Sequence, residues 1–473
     1  MRKSLSIALI ALAASAVAAG AAAFEFRPDK AVRVVTGLTA KTLCSDVFVS
    51  GLDPAVVFNQ AIASRPGPSL LARHIAYRID RQAGWVSATW LGHFASRAVY
   101  RPRLGCLLLQ GAGPIDASLP APESAAAPLL PAIAGPDVVA PLNPGLATAL
   151  DHIFTDPAYG PPRWLRAVVV LKDRKVVAER YAPGVGVNTP LIGYSATKSV
   201  MATLVGILVR QGRLDVTRPA PVAAWATASD PRHAITTDNL LRMTSGLDIA
   251  QTGSGFDPAS RMLYTERDMA GFAQAHRLAR PIGTRWDYSD ASTLIVSRIV
   301  RDATGGTAAG VLGFAHRELF DPLGLSTATL ELDATGTPVG STAMLASARD
   351  WARLGYLYAH DGMVGGRRIL PEGWVRYVRT STLGTPYGAG FWTNDGPSPE
   401  AAGRIRAGMP CDGFFASGVL GQRVYIMPAD DLVIVRFGIT EKAPDYDIAG
   451  DMRLVREVIA SLPPAPKPAC ATG

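Results

Sequence analysis

The chain has 473 residues, 48% of them hydrophobic and 18% charged, so it can bury a substantial core and has the length of two to three domains. Lys plus Arg total 47 against 39 Asp plus Glu, giving a formal charge of +8, but only eight of the basic residues are lysines and no run of five or six cations occurs. A nucleic-acid stripe needs clustered cations in a recognisable module, and neither is present; the surplus reads as a solvated basic surface.

In chain order, residues 1–23 read as an export signal. Arg2 and Lys3 are followed by an apolar stretch from Leu5 to Val17, and Ala21-Ala22-Ala23 offers small residues for cleavage before Phe24. The mature protein is then expected in the periplasm or secreted, without a stable membrane span; if the signal is retained, it becomes an N-terminal anchor. Export also permits disulfides among Cys44, Cys106, Cys411 and Cys470. Sequence leaves three pairings open, and Cys44 with Cys106 is preferred because both lie in the same N-terminal region. No CxxC or Cys/His spacing points to a metal, and no cofactor is expected.

Residues 24–119 read as a small module with short strands at Trp85–Trp90, Arg97–Tyr100 and Cys106–Gln110. Residues 120–144 are rich in Pro and Ala, the composition of a linker or of an extended wrap across a surface. A third unit spans 145–462, and 463–473 form a tail. Within the third unit, Ala167–Lys172 and Lys175–Tyr181 flank Asp173-Arg174 as a β-hairpin. Arg423–Met427 and Leu432–Phe437 make a second strand pair. Helical patterns cover Ala196–Gln211, Asp268–His276, Ala291–Ala303, Ala346–His360 and Ile448–Leu462. Strands at both ends with helices between them predict an α+β fold, in which the two ends complete one antiparallel sheet and a helical lobe is inserted.

No GxSxG, HExxH, Walker loop or complete GxGxxG is found, and none of the seven histidines sits in a context that marks a base. The chemistry concentrates instead on Tyr194-Ser195-Ala196-Thr197-Lys198. Residues three apart share a helix face, so Lys198 can reach the Ser195 hydroxyl, which needs a neighbouring base to become a nucleophile. The apolar helix that follows should bury Lys198, and lost hydration favours its neutral amine. Backbone N–H groups at the helix start could serve an oxyanion. The bland alternative is a Ser cap followed by a solvated lysine.

Two later segments add to the tetrad. Tyr288, in Trp286-Asp287-Tyr288-Ser289-Asp290, enters the Ala291 helix on a loop and could shuttle a proton between Ser195, Lys198 and a leaving group. Ala416-Ser417-Gly418-Val419 opens the Arg423 strand with small residues that let a substrate approach the backbone. A packed Tyr and a glycine bulge are their alternatives.

In this order and spacing the three elements resemble the serine β-lactamase and penicillin-binding-protein superfamily. The nearest likeness is its class C-like branch of 6-aminohexanoate-dimer hydrolases, family VIII carboxylesterases and D-alanyl peptidases. The likeness covers residues 145–462 and is reinforced by Leu240-Leu241-Arg242-Met243-Thr244-Ser245-Gly246-Leu247, Pro322-Leu323-Gly324-Leu325 and Tyr387-Gly388-Ala389-Gly390-Phe391-Trp392. It implies Ser195 as the acylated nucleophile, Lys198 and Tyr288 as proton-transfer partners, and an oxyanion hole from the N–H groups of Ser195 and Val419. It also implies substrate contacts from residues 290 and 416–418.

The chain departs from the pattern twice. Asp290 stands where the family has Asn; an ionised Asp only accepts hydrogen bonds, and pairing with Lys198 would keep the lysine charged. Ala416 stands where lactamases and peptidases carry a Lys, which removes a partner for a substrate carboxylate. The expected substrate is therefore a small ester or linear amide. Cell-wall D-Ala peptidase or β-lactamase activity is the enzymatic alternative, and a non-catalytic envelope-binding protein with the same fold is the other.

Overall fold

A computed structural model describes residues 28–65, 68–119, 127–155, 163–440 and 448–465. The proposed signal, Cys470 and most of the tail lie outside the described residues.

The chain opens on helix α1 (Pro28–Cys44), which the sequence reading does not contain. Ala31, Val34, Val35 and Leu38 are all buried, so α1 carries an apolar stripe at helical spacing. It packs on an antiparallel meander of strands β1 (Ile75–Asp80), β2 (Trp85–Trp90), β3 (His93–Arg101) and β4 (Gly105–Leu109), paired in that order. The Cys44–Cys106 disulfide ties α1 to β4. Cys411 is disulfide-bonded as well.

This N-terminal unit is bolted to the rest of the chain by buried polar contacts. Glu331, fully buried, accepts from Lys41, from Ser45 at 2.9 Å and from the Cys106 N–H at 2.6 Å. Arg166 pairs with buried Asp46 at 3.2 Å. Gly37 lets α1 lie flush on helix α4 (Pro258–Thr265), since a Cβ there would stand 2.9 Å from the Tyr264 carbonyl oxygen.

Residues 127–143 form an extended wrap. The Val176 N–H donates to Ile133 and the Leu129 N–H to Pro322, each at 2.9 Å. The Gly135 and Asp137 carbonyls accept from Arg349 at 2.6 and 2.7 Å.

The main sheet is antiparallel. Its strands are β5 (Arg163–Lys172), β6 (Lys175–Tyr181), β7 (Trp392–Thr393), β8 (Phe414–Gly418), β9 (Gln422–Met427) and β10 (Leu432–Thr440), in the spatial order β7-β8-β9-β10-β5-β6. The β5–β6 turn has both Asp173 (φ 49°) and Arg174 (φ 66°) in the left-handed region, as a two-residue hairpin with right-twisted strands requires. Successive side chains alternate between faces, so Ala167, Val169 and Leu171 enter one core and Val168 and Val170 the other. Both faces are covered, which is why the strands read as unbroken apolar runs. Helices α2 (Pro144–Thr155) and α7 (Ile448–Ala460) cover one side. On the other, α3 (Thr197–Arg210), α5 (Asp290–Ala303) and α6 (Ala348–Ala359) join the larger core. The two ends of the unit thus complete one sheet and the helical lobe lies between them, the expected α+β architecture. Among the described residues no helix is long and apolar enough to cross a membrane.

Candidate active site

Ser195 sits on the tight turn that leads into α3. Every residue from Thr197 to Leu208 is buried, so packing on all sides fixes the helix, while Ser195 itself is half-exposed. Tyr194, just before it, is buried with φ 44°, a left-handed conformation costly for an aromatic residue. The turn is held from both sides: the Gly193 N–H donates to Met344 at 2.8 Å, and the Gly193 carbonyl accepts from Ala196 at 3.1 Å.

Lys198 Nζ donates to Ser195 Oγ at 3.0 Å and to the Ser341 carbonyl at 3.0 Å, and it also pairs with Asp290 Oδ1. All three N–H groups of an ammonium therefore have acceptors. Asp290 is buried in the first turn of α5, and its second oxygen accepts from Gln251 Nε2 at 3.0 Å. Gln251 also accepts from the Asp290 N–H at 2.6 Å. Burial pulls the Lys198 pKa down, but the Asp290 carboxylate, with Tyr288 in support, outweighs it and raises the pKa above the ordinary lysine value. The neutral amine expected from burial alone is thus corrected: Lys198 rests as an ammonium. Asp290, with both oxygens engaged inside the protein, acts as the lysine's partner.

Tyr288 packs in an aromatic cluster with Trp286, Tyr387 and Trp392, at ring-centroid distances of 6.2, 5.8 and 5.8 Å. Lys198 Nζ lies 4.8 Å from the centroid of its ring. Tyr288 borders the same cavity as Ser195 and interacts with both Ser195 and Lys198. Burial pushes the phenol above its usual pKa, with Lys198 pulling against that and Asp290 reinforcing it, so Tyr288 rests protonated.

The third element closes the site. Strand β8 runs so close to the turn at Ser195 that a Cβ on Gly418 would stand 2.1 Å from the Gly193 carbonyl oxygen. Arg423, buried, donates to the Gly418 carbonyl at 2.8 Å. Gln422 Nε2 donates to the Val419 and Gly438 carbonyls at 3.2 and 2.6 Å. Ser417, Gly418 and Val419 then border the same cavity, of about 760 Å³, as Ser195, Tyr288 and Asp290. Ala416 does not: it is 1% exposed, packed in the larger core, and offers substrate no surface. Among the described residues no histidine lines this cavity. Among the described residues no group of His, Cys, Asp and Glu could hold a metal ion.

Sequence reasoning missed Gln251, Ser341, Gln422 and Arg423, which position the reactive groups through contacts no local pattern announces. It also missed the wall opposite Ser195, built by α1. There the signal existed, in the spacing of Ala31, Val34, Val35 and Leu38.

A family model described as Beta-lactamase matches residues 166–455. A 6-aminohexanoate-dimer hydrolase of Paenarthrobacter ureafaciens is 26% identical over 256 residues, covering 51% of this chain and 61% of that protein. The chain thus spans about three-fifths of that relative's length. Among solved structures, a penicillin-binding-protein homologue of Caulobacter crescentus aligns with a TM-score of 0.55 at 20% identity, over 69% of this chain and 100% of that one. A family VIII carboxylesterase aligns at 0.52 and 15% identity, over 69% and 99%. At these identities the structural likenesses speak for the fold.

Proposed function

Because the chain belongs to the beta-lactamase family, we propose that it is an exported serine hydrolase that opens a small ester or linear amide through an acyl-enzyme on Ser195. The observation that carries the reading is the 3.0 Å contact between Lys198 Nζ and Ser195 Oγ at the floor of a cavity that Tyr288 also borders. The names of the hydrolase and carboxylesterase relatives favour amides and esters over other substrates. The signal-like start and the Cys44–Cys106 bridge support export to the periplasm or beyond.

The charge states give each group its part. With the Lys198 donors occupied, the Ser195 proton has the Tyr288 oxygen as its acceptor. Ser195 Oγ attacks the carbonyl carbon; its proton passes to Tyr288 as Tyr288 gives its own to the leaving oxygen or nitrogen. The Lys198 ammonium stabilises the developing alkoxide, and the N–H groups of Ser195 and Val419 take the oxyanion. Water reverses the path: it attacks the acyl carbonyl, loses a proton to Tyr288, and Tyr288 returns one to Ser195. A fluorophosphonate probe should label Ser195, and Ser195→Ala should abolish labelling and turnover of p-nitrophenyl butyrate. Unchanged turnover in that variant defeats the proposal. Stable acylation by a labelled penicillin, with no turnover of esters, would favour a cell-wall peptidase instead.

A further inference from the structure

The cavity over Ser195 has two dissimilar walls. The catalytic unit supplies the reactive groups and the β8 edge. The facing wall comes from the N-terminal unit: Val34, Val35 and Leu38 of α1, then Leu70 and Leu71, with Arg65 just before them. This wall cannot swing freely, because the Glu331 and Asp46–Arg166 contacts and the close approach at Gly37 fix α1 against the catalytic unit. Leu70 is 77% exposed and Phe256, which borders the same cavity, 47%. Apolar side chains held open beside a nucleophile gain when a hydrocarbon covers them.

Charge is distributed just as unevenly. Among the described residues bordering the cavity the acidic and basic side chains are Asp290 and Arg65, and Asp290 is paired with Lys198. Arg65 makes no ion pair or side-chain hydrogen bond among the described residues. Arg65 borders the cavity together with Tyr194 and Tyr264, on both of which its charge acts. On the β8 edge, Ala416 leaves no cation. The cation that borders this cavity comes from the N-terminal unit, near Ala61, which packs with Tyr194 and Leu420.

We propose that the N-terminal unit is a substrate-selecting wall, and that Arg65 binds a terminal carboxylate on a linear, apolar-bodied ester or amide whose scissile bond lies at Ser195. The proposal rests on the Ser195 reading above and names its substrate class. A fork of guanidinium N–H groups suits a carboxylate, and the apolar side chains of α1 that border the same cavity suit the methylenes that join it to the carbonyl.

Two substrate pairs test it, one for each side of the scissile bond. The first is the mono-p-nitrophenyl ester of suberic acid against p-nitrophenyl octanoate. The second is butyrate esterified to 6-hydroxyhexanoic acid against the same compound as its methyl ester. In at least one pair the acid should have the higher kcat/KM, and Arg65→Gln should lower that acid-to-neutral ratio about tenfold or more, mainly through KM, with Arg65→Lys restoring part of it. Lengthening the neutral acyl chain should raise kcat/KM by up to about fourfold per methylene until the wall is covered, and Val35→Asp should flatten that series. Ratios at or below one in both pairs, or ratios that Arg65→Gln leaves unchanged, overturn the assignment. Fluorophosphonate labelling of Ser195 in wild type and Arg65→Gln separates this failure from failure of the hydrolase reading: labelled enzyme without acid selectivity refutes only the wall.

Discussion

The Asp290 carboxylate stands where the resemblance implies an Asn, and Asp290→Asn isolates its effect. The substitution keeps shape and a hydrogen-bond acceptor but removes the charge facing Lys198. Two unit charges about 4 Å apart attract by about 4 kcal/mol at an effective dielectric of about 20, and removing one partner of a buried pair costs about 3–5 kcal/mol. Asp290 raises the Lys198 pKa above the ordinary 10.5, so the pair's stabilisation is fully present below that value and is lost as pH rises through the higher folded-state pKa. Urea unfolding should therefore show Asp290→Asn less stable by about 3 kcal/mol near pH 8, with the gap shrinking at strongly alkaline pH. Activity should follow the same sign. Wild-type kcat/KM for p-nitrophenyl butyrate, after subtraction of the uncatalysed rate, should hold through neutral and mildly alkaline pH and fall as Lys198 deprotonates. The fall should begin at lower pH in Asp290→Asn. Equal stabilities near pH 8, or a wild-type rate that climbs through the lysine range, would refute a resting ammonium and make Lys198 the base.

Tyr288→Phe removes the shuttle while leaving the aromatic cluster packed; kcat should fall about 10²- to 10⁴-fold with little change in unfolding, and a loss below tenfold would contradict the shuttle. Gly418→Ala places a methyl where the Gly193 carbonyl now stands 2.1 Å away, so β8 must move off the nucleophile turn; kcat should drop at least about tenfold, with circular dichroism preserved. Cys44→Ser opens a bridge spanning 62 residues and should lower stability by about 4 kcal/mol on the chain-entropy estimate. Ester-length selectivity should weaken with it, because α1 is the wall of the cleft.

What could be read from sequence was what is local. The hairpin β5–β6 announces itself through Asp173-Arg174 between two Val-rich runs, and α3 through its apolar continuity after Ser195. Ser195, Lys198 and Tyr288 stood out by residue type and order, and the fold brings the three side chains together. Helix α1 escaped because Gly37 and its several Val and Thr residues lower helix propensity, although its burial stripe has the right period. Strand β1 and helix α2 were passed over as well. The charge state of Lys198 could be posed but not decided, since burial and Asp290 act with opposite signs and only their geometry picks the winner. Ala416 matched a motif position, yet strand alternation turns it into the core. The union of the N-terminal unit with the cleft depends on Glu331, Asp46 and Arg166, contacts between distant parts of the chain that leave no periodic trace.

The central claim, covalent catalysis by Ser195, is tested most directly by intact-protein and peptide mass spectrometry after quenching a reaction with p-nitrophenyl butyrate in acid. The account predicts a butyryl adduct on the peptide carrying Ser195, absent in Ser195→Ala and longer-lived in Tyr288→Phe. An adduct on another residue, or full turnover with no adduct in any variant, would contradict it.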